Sequence, residues 1–338
     1  MENKTDDING MGENDTYFCR GEVKFIQSHI VVIGLPLIYS IIFVIGVIGN
    51  GLVISVICKS TRLNVLFLNL AIADLLYLII CLPVQALRFA TEYRVSLTPP
   101  VCKIAYFFVY TTQGVSVYCL VFICALRFVA VKWPLHCKNF VSKSFTTKVA
   151  ALVWVGMIIA NFPLFFYFEE SKGKSCGLSQ NMTDADGYFY YVLVFGLDFI
   201  FPVLVIGAFS IGIMVVIRQQ ERAIAAALGS EDSAPAGMSP SDTRRLTAIV
   251  FAVLVLFVVC WGDFYLFYIL FIAQVYNPVC PTGAWFWLHF LSQVLPVTNS
   301  CLNPILYNFV STEFRAAFKR RFSGPTNQST ARTSTSFL

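Results

Sequence analysis

The stretch Leu291-Ser-Gln-Val-Leu-Pro-Val-Thr-Asn-Ser-Cys-Leu-Asn-Pro-Ile-Leu-Tyr-Asn-Phe309 is apolar enough to lie in a membrane, yet too polar to be only an anchor. Asn299, Ser300 and Asn303 fall within little more than one helical turn, and Pro304 removes a backbone donor in mid-span. The backbone groups freed by the proline need partners on a neighbouring helix or a trapped water molecule. The stretch therefore predicts a polar-lined helix inside a membrane bundle, with Pro304 as either a packing kink or a hinge.

The overall composition also places the chain in a membrane. Of its 338 residues, 57% are hydrophobic and only 13% are charged, whereas soluble domains carry about 25% charged residues. A transmembrane helix needs about 20 mainly apolar residues. Seven stretches meet this requirement and predict an all-α membrane protein with a seven-transmembrane helix bundle: Ile30 to Cys58, Val65 to Ala86, Lys103 to Val131, Val149 to Phe168, Tyr188 to Ile217, Leu246 to Ala273, and Ala284 to Val310.

The flanks of these stretches predict the orientation of the chain. The N-terminal residues lack the apolar core of a secretory signal peptide, so the first helix is expected to act as the targeting signal. Lys and Arg are more numerous in the segments that follow spans one, three, five and seven, which predicts an extracellular N-terminus and a cytoplasmic C-terminus. Three glycosylation sequons, at Asn3, Asn14 and Asn181, fall on the predicted outside. We expect residues 1–29 to form an extracellular tail and residues 30–310 to form the membrane domain.

The run Asn303-Pro304-Ile305-Leu306-Tyr307, followed by Phe314 in a basic stretch, resembles the seventh-helix signature of rhodopsin-like G-protein-coupled receptors. Gly49-Asn50, Leu70-Ala-Ile-Ala-Asp74 and Trp154 match landmarks of the same family. The resemblance covers Ile30 to Phe322. It implies a plasma-membrane receptor that signals through heterotrimeric G proteins when its sixth span swings outward.

The resemblance also assigns roles to polar residues in the spans. It implies that Asp74 and Ser116 bind a sodium ion, for which hard oxygen ligands are suited, while a purely structural hydrogen-bond network is the alternative. No other cofactor is expected. The polar network comprises Asn50, Asp74, Ser116, Asn299, Ser300 and Asn303, and the activation switch comprises Arg127, Trp261, Phe257, Pro202, Pro304 and Tyr307.

Four positions depart from the family pattern. Leu126 stands where the family carries an Asp before Arg127, and Thr243 stands where a second acid helps to restrain that Arg. Ser210 replaces a Tyr that supports the active state, and Asp263 replaces the kink proline of span six. These departures favour, as an alternative, a scavenging or arrestin-biased receptor that couples weakly to G proteins.

Four cysteines fall on the predicted oxidising face. In the family, the cysteines matching Cys102 and Cys176 tie the second outer loop over the ligand pocket. Cys19 and Cys280 resemble the second bridge of chemokine and related peptide receptors, and the alternative is that they are free thiols.

The ligand pocket is expected in the outer half of the bundle. Val109 stands where amine receptors place an Asp, and span seven holds no Lys that could bind retinal. A mixed aromatic and polar lining suits a peptide, which brings both signs of charge and an apolar part. If the helices align as in the family, the lining residues are Gln85, Arg88, Tyr106, Tyr110, Gln113, Asp198, Asp263, Tyr265, Tyr268, His289 and Gln293.

The C-terminal segment predicts cytoplasmic partners. Phe314, Phe318 and Phe322 follow one another at four-residue spacing beside basic residues, which predicts an amphipathic eighth helix over residues 311–322 on the lipid of the inner leaflet. Residues 323–338 form a Ser/Thr-rich cytoplasmic tail, which is either disordered or a phosphorylation array for a receptor kinase and arrestin.

Other functional classes fit less well. The three His residues have no neighbouring nucleophile or metal-ligand spacing, so we expect no enzyme, and we expect no nucleic-acid partner. A channel or transporter would carry internal repeats, and none is found. A lipid-mediator receptor stays open, with Arg88 and His289 as its carboxylate site. The peptide cues themselves differ: Cys81-Leu-Pro-Val-Gln-Ala resembles galanin- and allatostatin-type receptors, whereas the outer cysteines resemble chemoattractant receptors.

Overall fold

The computed structural model describes residues 29–58, 65–91, 95, 97–133, 142–171, 175–178, 189, 192–228, 240–272, 284–310, 315 and 318–319. Seven long helices make up most of this part of the chain. They are α1 (Leu35–Ile57), α2 (Val65–Ala90), α3 (Pro99–Lys132), α4 (Lys143–Asn161), α5 (Phe201–Leu228), α6 (Pro240–Ile272) and α7 (Ala284–Val310). Short π-helical segments precede α1 (Ile30–Gly34) and α5 (Gly196–Ile200), and one interrupts α2 (Tyr77–Cys81).

The helix bounds confirm the seven apolar stretches and correct several of their ends. Helix α7 has the predicted bounds and continues through Pro296 and Pro304. Helix α4 begins earlier than expected because the Ser142 hydroxyl caps it by accepting from the Phe145 amide at 3.3 Å. It ends at Asn161 rather than Phe168, because Pro163 has no backbone N–H to donate to the carbonyl one turn before it.

The segment from Gln219 to Ser241, between spans five and six, is too polar for a core and predicts a mobile loop. This prediction is wrong over the first ten residues of the segment. Residues 219–228 continue α5 as helix, and α6 already starts at Pro240. The run Ala223-Ile-Ala-Ala-Ala-Leu228 consists mainly of strong helix formers. Their high helix propensity extends α5 beyond its apolar part.

The distribution of side chains is that of a membrane protein. Within the described residues, five helices are long and apolar enough to cross a bilayer, and α6 contributes a shorter apolar segment, Leu254–Phe267. Large apolar side chains such as Leu152 (68% exposed) and Leu204 (66% exposed) face outward, whereas Asn50 (0%), Asp74 (1%) and Asn303 (2%) are buried. Lipid covers such an outward face, and polar groups find their partners inside the bundle.

Helix α3 lies at the centre of the bundle and packs against α2, α4 and α5. Its buried residues Val115, Cys119 and Leu120 belong to the largest apolar cluster. Partly buried Phe318 packs against the same cluster, so this ring contacts the bundle and does not lie only on lipid. Most of the predicted eighth helix lies outside the described residues.

The described non-helical structure in the connection from α4 to α5 includes a two-stranded hairpin. Strands β1 (Phe168–Ser171) and β2 (Ser175–Leu178) are antiparallel, with Glu170 opposite Cys176. A short helical turn, Leu164–Tyr167, leads into β1. Both strands contact α3, so the hairpin lies beside the end of the bundle where α3 begins.

Gly46 allows α1 to approach α2 and α7, and this generates a stability prediction. A Cβ atom at Gly46 would lie 2.5 Å from Leu78 Cδ1 and 3.3 Å from Cys301 Cβ, whereas one at Gly51 of the same helix meets nothing within 4 Å. We expect Gly46→Ala to destabilise the protein by about 1–3 kcal/mol through overpacking. Gly51→Ala is the matched control and should be neutral or stabilising, because Ala is the better helix former. Thermal unfolding of the detergent-solubilised protein measures both; equal melting temperatures would contradict the close packing.

Candidate functional site

A cavity opens between α2, α3, α6 and α7 and leaves about 210 Å³ for the centres of water-sized molecules. It lies at the end of the bundle where α2 ends and where α3 and α7 begin. The structure brings seven of the eleven predicted pocket residues to its wall. They are Gln85, Arg88, Tyr106, Tyr110, Gln113, His289 and Gln293.

Arg88 and Tyr106 join α2 to α3 in the cavity wall. The Arg88 guanidinium donates to the Tyr106 hydroxyl at 3.1 Å, and its central carbon lies 5.8 Å from the Tyr106 ring centroid. The interaction combines a hydrogen bond with the attraction of a cation for an aromatic face. It holds a positive charge at the cavity wall.

Aromatic residues form the floor of the cavity. Trp261 and Phe264 of α6 line it, and Tyr265 packs directly behind, with its ring 5.4 Å from that of Phe264. The Gln113 side chain donates to the Tyr265 hydroxyl at 3.4 Å. Tyr265 was predicted to line the cavity, but the structure places it in the buried aromatic cluster instead.

Both predicted acids lie away from the cavity wall. Asp263 follows Trp261 by two residues and therefore points about 200° away from it around α6; its Oδ2 atom is buried without a hydrogen-bond partner. Asp198 is buried in the π-helical segment Gly196–Ile200, whose wider turn alters the direction of side chains relative to an α-helix. The side chain of Tyr268 lies outside the described residues.

Sequence reasoning missed several residues of the cavity wall, most of which are apolar. Tyr77 and Cys81 precede Gln85 by eight and four residues, and Phe89 follows it by four, so helical periodicity could have found them. Phe267, Ser292 and Pro296 also line the cavity. In a membrane helix both faces are apolar, so composition alone does not identify the inner one.

Below the cavity, a polar network joins α1, α2, α3 and α7. The Asp74 carboxylate accepts from the Ser116 hydroxyl at 3.2 Å and from the Asn303 amide at 2.8 Å. The Asn50 amide donates to the Ser300 carbonyl and to the Gly46 carbonyl, both at 2.9 Å. The predicted network residues are thus brought together.

A second, small cavity lies against this network. Asp74, Ser116, Asn299 and Ser300 line it, and it leaves about 10 Å³ for the centres of water-sized molecules, which is the order of size that one water molecule requires. Carboxylate, hydroxyl and amide oxygens are the ligands that hard cations prefer. The residues present therefore fit a small cation or a water molecule.

Comparison with known proteins identifies the family. Residues 49–307 match the model described as 7 transmembrane receptor (rhodopsin family). This chain belongs to the rhodopsin family of seven-transmembrane receptors. It is therefore a multi-pass receptor of the plasma membrane and not an enzyme.

Three curated relatives show the breadth of the similarity. The somatostatin receptor type 3 of Mus musculus is 32% identical over 304 residues, covering 87% of this chain and 69% of that receptor. The galanin receptor type 2 of Mus musculus is 26% identical over 295 residues, covering 86% and 76%. The allatostatin-A receptor of Bombyx mori is 28% identical over 305 residues, covering 85% and 78%.

Toward the opposite end of this receptor from the main cavity, two of the positions that depart from the family pattern, Leu126 and Ser210, have local partners. Leu126 is partly buried and packs against the apolar cluster around α3. The Ser210 hydroxyl donates to the Ile206 carbonyl of its own helix at 2.6 Å. Gln220 donates to the Val131 carbonyl at 3.2 Å and so links α5 to the end of α3.

The residues assigned to the activation switch lie along α3, which carries Arg127, and along α5, α6 and α7. Phe257 and Trp261 are buried in one cluster, and Pro202 is buried on α5. Helix α6 has no proline after Pro240, so its backbone continues as α-helix through Asp263. The side chains of Thr243 and Tyr307 lie outside the described residues.

Cys102, at the start of α3, is buried and disulfide-bonded. Strand β2, which carries Cys176, contacts α3, and the pairing of these two cysteines stays a prediction. Cys19, Cys280 and the sequons at Asn3, Asn14 and Asn181 lie outside the part of the receptor whose side chains are described.

Proposed function

We propose that this receptor binds an extracellular peptide in the main cavity and passes the signal to heterotrimeric G proteins. The observation that carries the proposal is the lining of that cavity, which combines aromatic rings with amide, phenol, imidazole and guanidinium groups. Relatives named for somatostatin, galanin and allatostatin-A support a peptide as the ligand. The N-terminus is extracellular and the C-terminus cytoplasmic, so the cavity faces outward.

The route of the signal follows from residues that the two cavities share. Tyr77, Gln113, Trp261 and Pro296 line both the main cavity and the small cavity beside Asp74. A peptide that moves any of these side chains changes the wall of the polar network. Such a ligand favours whichever arrangement of the helices it binds more tightly.

The cytoplasmic partners follow from the ends of the chain. Arg127 and the cytoplasmic ends of α5 and α6 form the G-protein site. The Ser/Thr-rich residues 323–338 serve a receptor kinase and then arrestin. The basic, Phe-containing residues 311–322 contact lipid of the inner leaflet.

The proposal is tested by applying somatostatin-, galanin- and allatostatin-A-type peptides to cells that express the receptor and measuring G-protein activation. We expect at least one peptide class to activate it. Gln113→Leu, at the cavity floor, should reduce potency roughly fivefold, the effect of losing about 1 kcal/mol of hydrogen bonding. Ile104→Leu, on the exposed face of the same helix, is the matched control and should not change potency. Silence of the wild type toward all three classes would argue against a peptide ligand of this type.

We also propose that the small cavity binds a sodium ion as an allosteric modulator. Asp74 and Ser116 would hold it, with Asn299 and Ser300 nearby in the wall. The ion would supply a compact positive charge that offsets the buried carboxylate.

Sodium binding predicts a cation-dependent stability. We expect the purified receptor to melt at a higher temperature in sodium chloride than in N-methylglucamine chloride, because a ligand of the folded state stabilises it. Asp74→Asn should abolish the difference, whereas Ser55→Ala, whose hydroxyl bonds only the Leu52 carbonyl of its own helix, should retain it. A difference that persists in Asp74→Asn would exclude this site.

A scavenging or arrestin-biased receptor is the second candidate. Leu126 offers no carboxylate to Arg127. Ser210, which stands where the family carries a Tyr that supports the active state, donates its hydroxyl to its own helix. If G-protein coupling is retained, the missing carboxylate at Leu126 loosens the resting state and raises basal activity.

Basal activity distinguishes these cases without a ligand. We expect wild type to activate G protein above empty cells and Leu126→Asp to lower that activity roughly fivefold or more, the effect of about 1 kcal/mol on the resting equilibrium. Leu126→Asn is the matched control of similar size without the charge, and it should lower activity less. Arg127→Ala should remove the activity. No basal activity in the wild type, together with peptide-driven arrestin recruitment, would favour the second candidate.

A further inference from the structure

The main cavity has an excess of hydrogen-bond donors. Arg88 and Trp261 both line it, and their side chains can donate but cannot accept. The indole nitrogen of Trp261 is buried and has no hydrogen-bond partner. A group that contacts the Arg88 guanidinium from the cavity therefore has to supply acceptors.

The charge of the cavity is also one-sided. Among the described residues of its wall, Arg88 is the one with a permanent charge, and none is an Asp or a Glu. The two acids predicted for the pocket, Asp198 and Asp263, lie elsewhere. A positive charge in a low-dielectric wall attracts anions and repels cations much more strongly than it would in water.

The remaining polar groups can adapt to an acceptor. His289 lines the cavity, and its Nδ1 atom is buried without a partner. The imidazole packs against Phe267 with ring centroids 4.8 Å apart and ring planes tilted by 51°, while its proton can occupy either nitrogen. The Gln85, Gln113 and Gln293 amides of the wall can each donate or accept.

We propose that this cavity binds a carboxylate-bearing end of the ligand, with Arg88 as its charge partner. The proposal rests on the proposed function and names the part of the ligand that enters the cavity. A carboxylate has two oxygens that only accept, which is the complement of this wall. The chain terminus of a peptide and the head of a lipid acid share this chemistry.

The charge of the cavity is measurable without knowing the ligand. Val84 lines the wall one helical turn before Arg88, so Val84→Cys places a thiol there. We would measure its rates of reaction with an anionic sulfonatoethyl and a cationic trimethylammonioethyl methanethiosulfonate, using receptor without this substitution to subtract the native cysteines. The ratio of the anionic to the cationic rate reports the local potential.

We expect Arg88→Gln to lower this ratio about tenfold or more, because the lost charge lies close to the thiol in a low dielectric. Arg88→Lys retains the charge and should keep most of the ratio. Lys103→Gln removes a positive charge near the start of α3 that does not line the cavity, and it should change the ratio little. An equal ratio in Arg88→Gln and wild type would overturn the proposal.

Protection of the same thiol tests the carboxylate directly. N-acetylphenylalanine at millimolar concentration should slow labelling more than N-acetylphenylalaninamide, which has the same shape without the charge, and Arg88→Gln should abolish this preference. Equal protection by the two compounds, or no protection by N-acetylphenylalanine, would overturn the proposal. Decanoate separates the sources: stronger protection by decanoate assigns the carboxylate to a lipid acid, and stronger protection by N-acetylphenylalanine assigns it to a peptide. Neither labelling assay depends on signalling. The carboxylate proposal can therefore fail while peptide-driven activation succeeds, and it can hold while peptide-driven activation fails.

Discussion

The buried carboxylate of Asp74 is the constraint on which the rest of the bundle depends. An ionisable group at membrane depth is costly unless it is paired or hydrogen-bonded. Ser116 of α3 and Asn303 of α7 meet that requirement for a residue of α2, so three helices are fixed relative to one another by one side chain. Asn50 extends the same arrangement to α1 through the Ser300 carbonyl. An apolar core in lipid lacks the directional preference that these hydrogen bonds supply.

The position of this network explains how a ligand can affect the whole bundle. Trp261 and Gln113 separate the main cavity from the small one and belong to both walls. A displacement of such a residue is passed on to its neighbours, because closely packed side chains switch between discrete arrangements and do not deform continuously. The network therefore stabilises the bundle and also lies next to the residues that contact a ligand.

The sequence predicted the parts of this structure that the membrane itself dictates. Long apolar stretches have to be helical in lipid, which is why the seventh span, Ala284–Val310, was predicted at its observed bounds. Outside the apolar stretches, capping and helix propensity decide where a helix ends. The cap at Ser142 lengthens α4, and the Ala-rich end of α5 lengthens that helix, beyond their apolar parts. The cavity was predicted well on α2, α3 and α7, where Gln85, Gln113 and His289 face inward. It was predicted poorly near Asp198 and Asp263. Asp198 lies in a π-helical segment, which changes the direction of its side chain. Asp263 lies two residues after Trp261 on α6, so its side chain points to nearly the opposite side of that helix.

Helix α6 shows what the loss of one proline means for movement. A proline opens the backbone hydrogen-bond ladder and lets a helix bend at that point. In this receptor Asp263 has a backbone N–H, the helix continues through it, and the neighbouring Phe199, 3.5 Å from a Cβ atom built at Gly262, leaves ordinary contact space rather than a gap. Bending of α6 at Asp263 therefore has to break a backbone hydrogen bond, which favours a rigid-body motion of the helix. Such a motion moves Trp261 at the cavity floor together with the opposite end of α6, where the proposed G-protein site lies.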